Sequence, residues 1–307
     1  MSQTQPVSFW TPRIFGPFLL VSLIWGSTWL VIRDQIGTVA PSWSVTWRFV
    51  LAAAGMFVFA ALKRQRLAIP GRVQLLAMIF GMLQFGLNFQ FVYRAEHFLT
   101  SGIVAVLFAL LLVPNAILGR IFLAQPITRA FFGGTVLALV GIVLLLLHEY
   151  RIAPPTGQVL FGVALTLCAI LTASASNVLQ ATAGPRSVPM LTFLAWGLVW
   201  GAVFDAAVAL VLAGPPQFDW RWTYGAGVAY LALVGSVVTF PIYFGLVREL
   251  GAGRAAYNGV VVPIIAMLLS TLFEGYRWSL LAGTGAVLAL GGLVLALRAR
   301  NPSTKEG

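Results

Sequence analysis

Amide side chains lie inside long apolar stretches of this sequence, and their types and spacing could do chemistry. Gln84 and Asn88 are four residues apart and share one helical face, which Phe91 continues three residues later. Polar side chains are costly in hydrocarbon, so they normally face the interior of a helix bundle or a wet cavity. An amide can bond the carboxylate or amine of a small molecule while a neighbouring ring stacks on it. The alternative is that these amides only join helices.

Hydroxyl, amide and aromatic residues also cluster in other apolar stretches. Two of these clusters lie beside a proline, which frees a backbone carbonyl that a ligand can use. Every cluster also has a packing interpretation, in which its polar groups bond another helix. The candidate ligand contacts in these stretches are Trp25, Ser27, Thr28, Ser174, Asn177, Tyr243, Tyr257 and Asn258.

Two charged residues also lie within the apolar stretches. Arg48, near Trp43 and Trp47, could receive a substrate carboxylate or extend to the membrane surface with cation–π support. We favour the structural role for Arg48. Asp205 is the one acid well inside a stretch, and such an acid is a candidate proton-coupling site. It has no obvious basic partner in the sequence, and the alternative is a hydrated position near the outer end of its helix.

The stretches that carry these residues are long enough to cross a membrane. Apolar residues make up 60% of the 307-residue chain, charged residues 9%, and the mean hydropathy is +0.93. A helix of about 20 apolar residues crosses a hydrocarbon core about 30 Å thick. The sequence therefore predicts an all-α membrane protein with ten transmembrane helices. Their predicted positions are 14–32, 42–62, 73–93, 98–118, 128–147, 158–180, 188–213, 224–247, 255–273 and 279–297.

The net charge of +11 is spread over the connections between these helices. With a cytoplasmic N-terminus, thirteen of the 19 lysine and arginine residues fall in inner segments and five in outer segments, while Arg48 lies within a helix. Lysine and arginine concentrate on the cytoplasmic side of membrane proteins. We therefore expect a multi-pass protein of a bacterial-type inner membrane with both termini in the cytoplasm. Nucleic acid is not expected as a partner, because its binding needs one contiguous basic face.

The two halves of the sequence repeat each other weakly. The segment Gly133-Gly134-Thr135 corresponds to Gly283-Thr284-Gly285 at an offset of 150 residues, and Pro114 corresponds to Pro263 with one residue of slippage. We predict two five-helix repeats, 1–150 and 151–307. Because five is odd, the second repeat must cross the membrane in the opposite sense, around a central cavity. Inverted repeats of this kind provide a basis for alternating access, although duplication without transport would leave the same symmetry.

Small residues within the predicted helices allow two backbones to approach closely in lipid. We expect such packing contacts from a GxxxG pair on the seventh helix and from glycine pairs on three others. A mid-helix cysteine, Cys168, is expected to be a small core residue. The glycines concerned are Gly197 with Gly201, Gly81 with Gly86, Gly225 with Gly227, and Gly291 with Gly292.

Enzyme and cofactor signatures are weak. The segment 251–256 matches a dinucleotide-binding pattern on paper, but it joins two predicted membrane helices and follows no strand. The two histidines, His97 and His148, lie at helix ends outside any metal-binding motif, and the sequence has no phosphate-binding loop. We expect no enzyme activity, no metal and no cofactor. An intramembrane enzyme acting on lipid-linked substrates and a non-transporting scaffold are the less favoured alternatives.

Three motifs resemble those of the EamA family in the drug/metabolite transporter superfamily. They are the first-helix run from Trp25 to Trp29 (Trp-Gly-Ser-Thr-Trp), the segment from Pro41 to Phe49, and the segment from Pro263 to Gly275. The resemblance covers essentially the whole chain and is greatest to exporters of aromatic and other amino acids. It implies ten helices in two halves, with helices 1, 3, 4, 6, 8 and 9 around the substrate.

The sequence departs from this family pattern at two places. The first half has Ala124 where the second half has Glu274, and the second half has no counterpart of the Trp25–Trp29 run. The resemblance implies a secondary transporter that exports amino acids, including aromatic ones, or similar small metabolites by facilitated alternating access. Its partners would be the small-molecule substrate and the bilayer. The alternative is a broader drug, metabolite or nucleotide-sugar carrier with proton coupling.

Overall fold

The described residues form a bundle of ten long helices, with one short helix, Ala183–Arg186, between the sixth and the seventh. The computed structural model describes residues 11–124, 127–152, 158–250 and 257–300, and these ranges contain no β-strand. The sequence motif at 251–256 lies outside them. The helices are α1 (Pro12–Gln35), α2 (Pro41–Leu62), α3 (Gly71–Ala95), α4 (Ser101–Leu123), α5 (Arg129–Ile152), α6 (Val159–Gln180), α7 (Met190–Ala213), α8 (Trp222–Ala229, continued by Tyr230–Val238 and Thr239–Leu250), α9 (Asn258–Phe273) and α10 (Leu280–Arg300).

Each predicted transmembrane helix corresponds to one of these ten. Nine helices in the described ranges are long and apolar enough to cross a membrane, and α9 is a shorter apolar helix of 16 residues. The prediction of an all-α membrane bundle is therefore confirmed. The largest errors in described boundaries are the ends of α4 and α5, which continue past the predicted 118 and 147 to Leu123 and Ile152.

Proline sets the start of several helices. Pro12 and Pro41 occupy the first turn of α1 and α2, while Pro70 and Pro189 directly precede α3 and α7. Proline suits these positions because its fixed φ is helical and the first backbone N–H groups have no partner within the helix. Because these helices begin abruptly at a proline, the connections that precede them are short.

The helix contacts are nearly unchanged when each helix of the first half is exchanged with its counterpart in the second. The helix α1 packs on α9 as α6 packs on α4, and α3 packs on α6 as α8 packs on α1. The pairs α2 with α7 and α5 with α10 map onto themselves. This exchange is the packing expected of two five-helix repeats of opposite orientation.

The helices α5 and α10 approach so closely that glycine is required at four positions of their interface. A Cβ on Gly141 would lie 2.2 Å from the backbone nitrogen of Ala289, and one on Gly292 would lie 2.3 Å from that of Ala138. A Cβ on Gly134 or Gly285 would lie 2.4 or 2.7 Å from a backbone atom of the opposing helix. Gly292 therefore makes its predicted contact. The prediction for Gly291 is wrong, because a Cβ there would meet nothing within 4 Å.

A second close approach joins α3 to α7. A Cβ on Gly81 would lie 2.1 Å from the carbonyl oxygen of Gly197, and Gly201 faces the same turn of α3. The predicted contacts of the GxxxG pair are confirmed. Gly86 and Gly227 also face close neighbours, whereas Gly225 faces open space and its predicted contact is wrong.

The outer surface of the bundle is apolar, as lipid requires. Large exposed side chains such as Phe132, Val211 and Leu280 project from it. Cys168 is also exposed, so its predicted core position is wrong: it lies on the outward face of α6. Hydrophobicity alone could not distinguish the two faces, because a membrane helix is apolar all round.

The neighbouring glycines of α10 provide a matched test of this packing. Gly292→Ala should destabilise the bundle by about 1–3 kcal/mol, because its methyl group would overlap the backbone of α5. Gly291→Ala should leave stability unchanged or slightly higher, because its methyl group enters open space and alanine favours helix. Thermal denaturation in detergent measures both. Equal midpoints for the two variants would contradict the helix contact described here.

Candidate functional site

A single large cavity dominates the described part of the interior. Its volume is about 1340 Å³, and it lies between the two repeats. All six helices expected from the resemblance contribute to its wall, and α2 and α7 do so as well. The helix α10 contributes only its end, at Leu293 and Leu297, while no residue of α5 takes part. Most of the α5–α10 pair therefore lies outside the cavity.

The cavity reaches one end of the bundle, which we call the mouth. Its wall there includes the exposed residues Lys63 at the end of α2 and Arg186 before α7. Gly119 and Leu297, near the ends of α4 and α10, line the same region. Because exposed residues line the wall, the cavity is continuous with solvent between these helix ends.

Polar contacts between the two repeats close the opposite end, which we call the sealed end. The carboxylate of Glu274, after α9, accepts hydrogen bonds from the backbone N–H of Ser101 at 3.2 Å and from its hydroxyl at 2.6 Å. Nε of Arg33, at the end of α1, lies 3.8 Å from the same carboxylate. On this side the cavity wall includes Val92 of α3 and Ile32 of α1, which directly precedes Arg33.

Two tryptophans of α2 extend the closure toward the surface. Trp43 donates its indole N–H to the carbonyl of Gly214 at 3.3 Å, and Trp47 donates to the carbonyl of Gln217 at 2.7 Å. The two rings stack with centres 5.6 Å apart. This tryptophan pair therefore joins the first repeat to the α7–α8 connection of the second.

Most of the sequence-predicted ligand contacts lie on the cavity wall. They come from six different helices, separated by up to 233 residues along the chain from Trp25 to Asn258. The predicted residues on the wall are Trp25, Thr28, Arg48, Gln84, Asn88, Asn177, Tyr243 and Asn258.

Trp25 holds α1 against a distorted part of α8. Its indole N–H donates to the carbonyl of Gly235 at 3.2 Å, and its ring lies 5.0 Å from that of Tyr243 and 5.7 Å from that of Phe240. Gly235 belongs to a π-helical segment, Tyr230–Val238. A π-helix widens the helical turn and leaves backbone groups free for other partners. Trp25, Phe240 and Tyr243 thus form an aromatic part of the cavity lining, which we call the aromatic wall.

The equivalent helix of the first repeat has its own π-helical segment, Met82–Leu87. Within it, Gln84 accepts a hydrogen bond from the hydroxyl of Ser176 on α6, and its backbone carbonyl accepts one from the Asn88 amide at 3.1 Å. The two π-helical segments occupy corresponding places in the repeats. Sequence analysis missed both, because apolar periodicity does not report a widened turn.

Amides on the cavity wall also join helices, so the two interpretations of these residues are compatible. The Asn258 amide donates to the Ser22 hydroxyl of α1 at 2.8 Å. The Asn177 amide lies 3.5 Å from the Asn115 amide oxygen of α4. These contacts hold the polar groups at the wall, where a ligand could reach them.

The remaining candidates lie away from the cavity wall. The Ser27 hydroxyl contacts that of Tyr230 at 2.7 Å, and Ser174 is buried within α6. Phe91 packs against the core around α2 and α7, while Tyr257 packs between the ends of α1 and α10. Gly26 also has a packing role, because a Cβ there would lie 2.5 Å from Ile265 of α9.

Asp205 belongs to a polar network behind the cavity. It is fully buried, and Oδ1 accepts a hydrogen bond from Gln90 at 2.8 Å. The Gln90 side-chain oxygen accepts from Arg94 at 2.5 Å and from Ser42 at 2.9 Å. The hydrated position considered for Asp205 is therefore wrong, and Arg94 is the nearby cation that the sequence did not reveal. The network joins α2, α3 and α7.

Arg48 lies on the cavity wall with only 4% of its surface exposed. The favoured expectation that it extends to the membrane surface is therefore wrong. Its guanidinium carbon lies 4.5 Å from the ring centre of Phe89 and 5.1 Å from that of Phe49, instead of over the expected tryptophans. The helix α2 turns Arg48 inward because Trp43 and Trp47 are held by the α7–α8 connection.

Glu96 is a buried acid just beyond the end of the predicted third helix, 73–93. It directly follows α3 at the sealed end, and none of its surface is exposed. Burial raises the pKa of its carboxyl group well above the ordinary value, and the charge of Glu274 raises it further, while Arg33 and Arg48 lower it. Neither of its side-chain oxygens has a hydrogen-bond partner among the described residues. The sequence does not reveal this burial, because it depends on how α4 and α9 pack around the α3–α4 connection.

The raised pKa of Glu96 predicts that stability falls with rising pH. The folded protein keeps a proton that the unfolded chain releases once pH passes about 4.3, so this contribution is present below that pH and is lost toward the folded pKa. Thermal midpoints from pH 4.5 to 8.5 should decline in the unmodified protein and decline less in Glu96→Gln.

Asp219→Asn is the matched control for this measurement. Contacts with Arg221 lower the pKa of Asp219, so its contribution changes only at more acidic pH. The slope of this variant should equal that of the unmodified protein. An unchanged slope in Glu96→Gln would contradict the assignment of a buried proton to Glu96.

Comparison with known proteins agrees with this architecture. The EamA-like transporter family profile matches residues 15–147 and 160–298, one match for each repeat. Protein PagO of Salmonella typhimurium is 25% identical, with 92% of each chain covered. The uncharacterized inner membrane transporter YedA of Escherichia coli K12 is 29% identical, covering 92% of this chain and 89% of its own. A solved crystal structure with 17% identity superposes with a TM-score of 0.66 over 91% of this chain and 94% of its own, which shows the shared fold. The chain belongs to the EamA-like transporter family.

Proposed function

We propose that this membrane transporter exports amino acids, including aromatic ones, or similar small metabolites by facilitated alternating access. One observation carries the proposal: the cavity between two inverted repeats reaches solvent at the mouth and is closed at the sealed end. Exchange of the two repeats' conformations would close the mouth and open the sealed end. Inverted-repeat transporters work in this way around a fixed midplane site.

The chemistry of the wall supports a small substrate with an apolar part and a polar part. The aromatic wall offers ring faces, while Gln84, Asn88 and Asn177 offer amides. Small-molecule sites combine an apolar lining with a few placed polar groups in this manner. The volume of about 1340 Å³ exceeds that of common ligand sites, about 300–1,000 Å³, so bound water or a larger metabolite also fits.

The distribution of acids supports facilitation over proton coupling. Among the described residues, no aspartate or glutamate lines the cavity, and Asp205 and Glu96 lie behind its wall. A coupling acid normally lies where substrate and proton can compete for it. The alternative of a broader carrier with proton coupling predicts uptake that depends on a pH gradient and loses that dependence in Asp205→Asn.

The charges near the mouth support an inward-facing arrangement. Lys63, Arg64, Arg66 and Arg72 lie in and beside the α2–α3 connection, and Arg186 precedes α7. Cytoplasmic connections are enriched in such residues, so the mouth faces the cytoplasm in this proposal. Both chain termini then also lie on the cytoplasmic side of the inner membrane.

Transport by purified protein in liposomes is the direct test of this proposal. Liposomes preloaded with unlabelled amino acid should accumulate labelled amino acid by exchange, in a saturable manner and without a proton gradient. Empty liposomes and liposomes with heat-denatured protein are the controls. The absence of saturable exchange of any amino acid by folded protein would contradict the proposal.

Substitutions on the wall should lower this exchange in a graded manner. We expect Trp25→Ala, Gln84→Ala and Asn88→Ala each to reduce it by about 2- to 10-fold, the range for loss of one hydrogen bond or ring contact. Phe91→Ala is the matched control, because it removes an aromatic residue of α3 that lies off the wall. Equal losses in all four variants would indicate a general packing defect instead of a substrate site.

A further inference from the structure

Arg48 is a buried cation whose charge lacks an anionic partner. Its side chain lies on the cavity wall, and among the described residues no carboxylate oxygen lies within 4.0 Å of its guanidinium. Its Nε and Nη1 atoms have no hydrogen-bond partner there either. The neighbouring Tyr93 hydroxyl interacts with the guanidinium but donates its proton to Gln35. Buried charges are normally paired, so this arrangement is incomplete without an anion.

The charge of the whole cavity has one sign. Besides Arg48, its charged wall residues are Lys63 and Arg186 at the mouth, and no described acid lines it. A cavity with low-dielectric walls and one sign of charge concentrates ligands of the opposite sign. The mouth therefore attracts anions, and the inner end of the path presents a guanidinium.

A hydrogen-bond acceptor lies on the same wall. The Asn88 side chain is 3% exposed, and its Oδ1 has no hydrogen-bond partner among the described residues. Asn88 directly precedes Phe89, over whose ring the Arg48 guanidinium lies. The wall thus provides unused donors on Arg48 and an unused acceptor on Asn88, which match a carboxylate with a neighbouring ammonium or hydroxyl group.

We propose that Arg48 is the receptor for a substrate carboxylate, so that the cavity selects 2-amino or 2-hydroxy carboxylates over amines that lack the acid. This inference deepens the proposed transport function and rests on it for the identity of the site. The Arg48 guanidinium donates hydrogen bonds to the carboxylate, and Asn88 Oδ1 accepts a hydrogen bond from the 2-ammonium or 2-hydroxyl group. The apolar part of the substrate contacts Phe49 and Phe89. Organic cations are excluded by the like charge of Arg48.

Stability separates this role from a structural one. A guanidinium that served only the fold would destabilise the protein when replaced. A buried cation that has no partner until the ligand binds lowers the stability of the ligand-free protein. An apolar residue of similar length in its place removes this destabilisation. The thermal midpoint of ligand-free Arg48→Met should therefore equal or exceed that of the unmodified protein.

Binding to purified protein in detergent tests the carboxylate receptor, with three probes that share one ring. L-Phenylalanine carries both groups, 3-phenyllactate carries the acid and a hydroxyl, and phenethylamine carries only the amine. The same comparison is extended to the other amino acids with their decarboxylated amines. Acids should bind and raise the thermal midpoint, while the amines should not. Arg48→Met should weaken acid binding by about 10- to 100-fold, and Arg48→Lys should retain part of it.

Arg72→Met is the matched control, because it removes an exposed arginine at the start of α3 that lies off the cavity wall. Its equilibrium binding of the acids should stay within about 2-fold of the unmodified protein, since exposed charges contribute little. The inference is overturned by amine binding as strong as that of the acids, by acid binding that Arg48→Met leaves unchanged, or by the absence of acid binding to folded protein.

These outcomes are distinct from failure of the transport function. Saturable exchange of neutral or cationic probes without Arg48-dependent acid binding would leave transport in place and remove the carboxylate receptor. Arg48-dependent acid binding without exchange in liposomes would leave the receptor in place and remove transport.

Discussion

Among the described residues the cavity opens at one end, and the central contact at the opposite end is the Glu274 carboxylate, which ties the two repeats together. It accepts the N–H and hydroxyl of Ser101 and lies 3.8 Å from Nε of Arg33, so one acid of the second repeat holds two helices of the first. The equivalent position at the mouth is Ala124, which has no side chain that could accept a bond. A symmetric bundle therefore has an asymmetric closure. The Glu274 contacts have no counterpart at Ala124, and together with the Trp43 and Trp47 contacts they favour the arrangement that we describe.

Lipid places a second constraint on the bundle, because backbone groups cannot be left unpaired in hydrocarbon. The widened turns of α3 and α8 each contribute residues to the cavity wall. There, Trp25 bonds the carbonyl of Gly235, and Asn88 bonds that of Gln84. The helices α5 and α10, which face lipid on their outer sides, are regular and joined by glycines. Irregular backbone and polar side chains therefore occur together, at the place where a substrate can use them.

The number and type of helices could be predicted from sequence, since membrane thickness sets the length of an apolar helix. The inverted repeat followed from the glycine and proline correspondences and from the odd helix count. Side-chain direction could not be predicted where tertiary contacts decide it. Arg48 turns inward because its tryptophan neighbours are held by the second repeat, and Glu96 is buried because α4 and α9 pack around it. Gly291 and Gly292 are adjacent in sequence, yet only one faces α5. Such differences depend on helix rotation, which a uniformly apolar sequence does not encode.

Thiol labelling in sealed vesicles tests most directly whether the cavity is accessible from one end only. In a Cys168→Ser background, Asn177→Cys places a thiol on the cavity wall, while Ser187→Cys and Gly37→Cys mark the connections at the mouth and at the sealed end. A membrane-impermeant maleimide should label Asn177→Cys from the side that labels Ser187→Cys. Adding Glu274→Ala should make it reactive from the Gly37→Cys side as well. Labelling of Asn177→Cys from the Gly37→Cys side while Glu274 is intact would contradict the account.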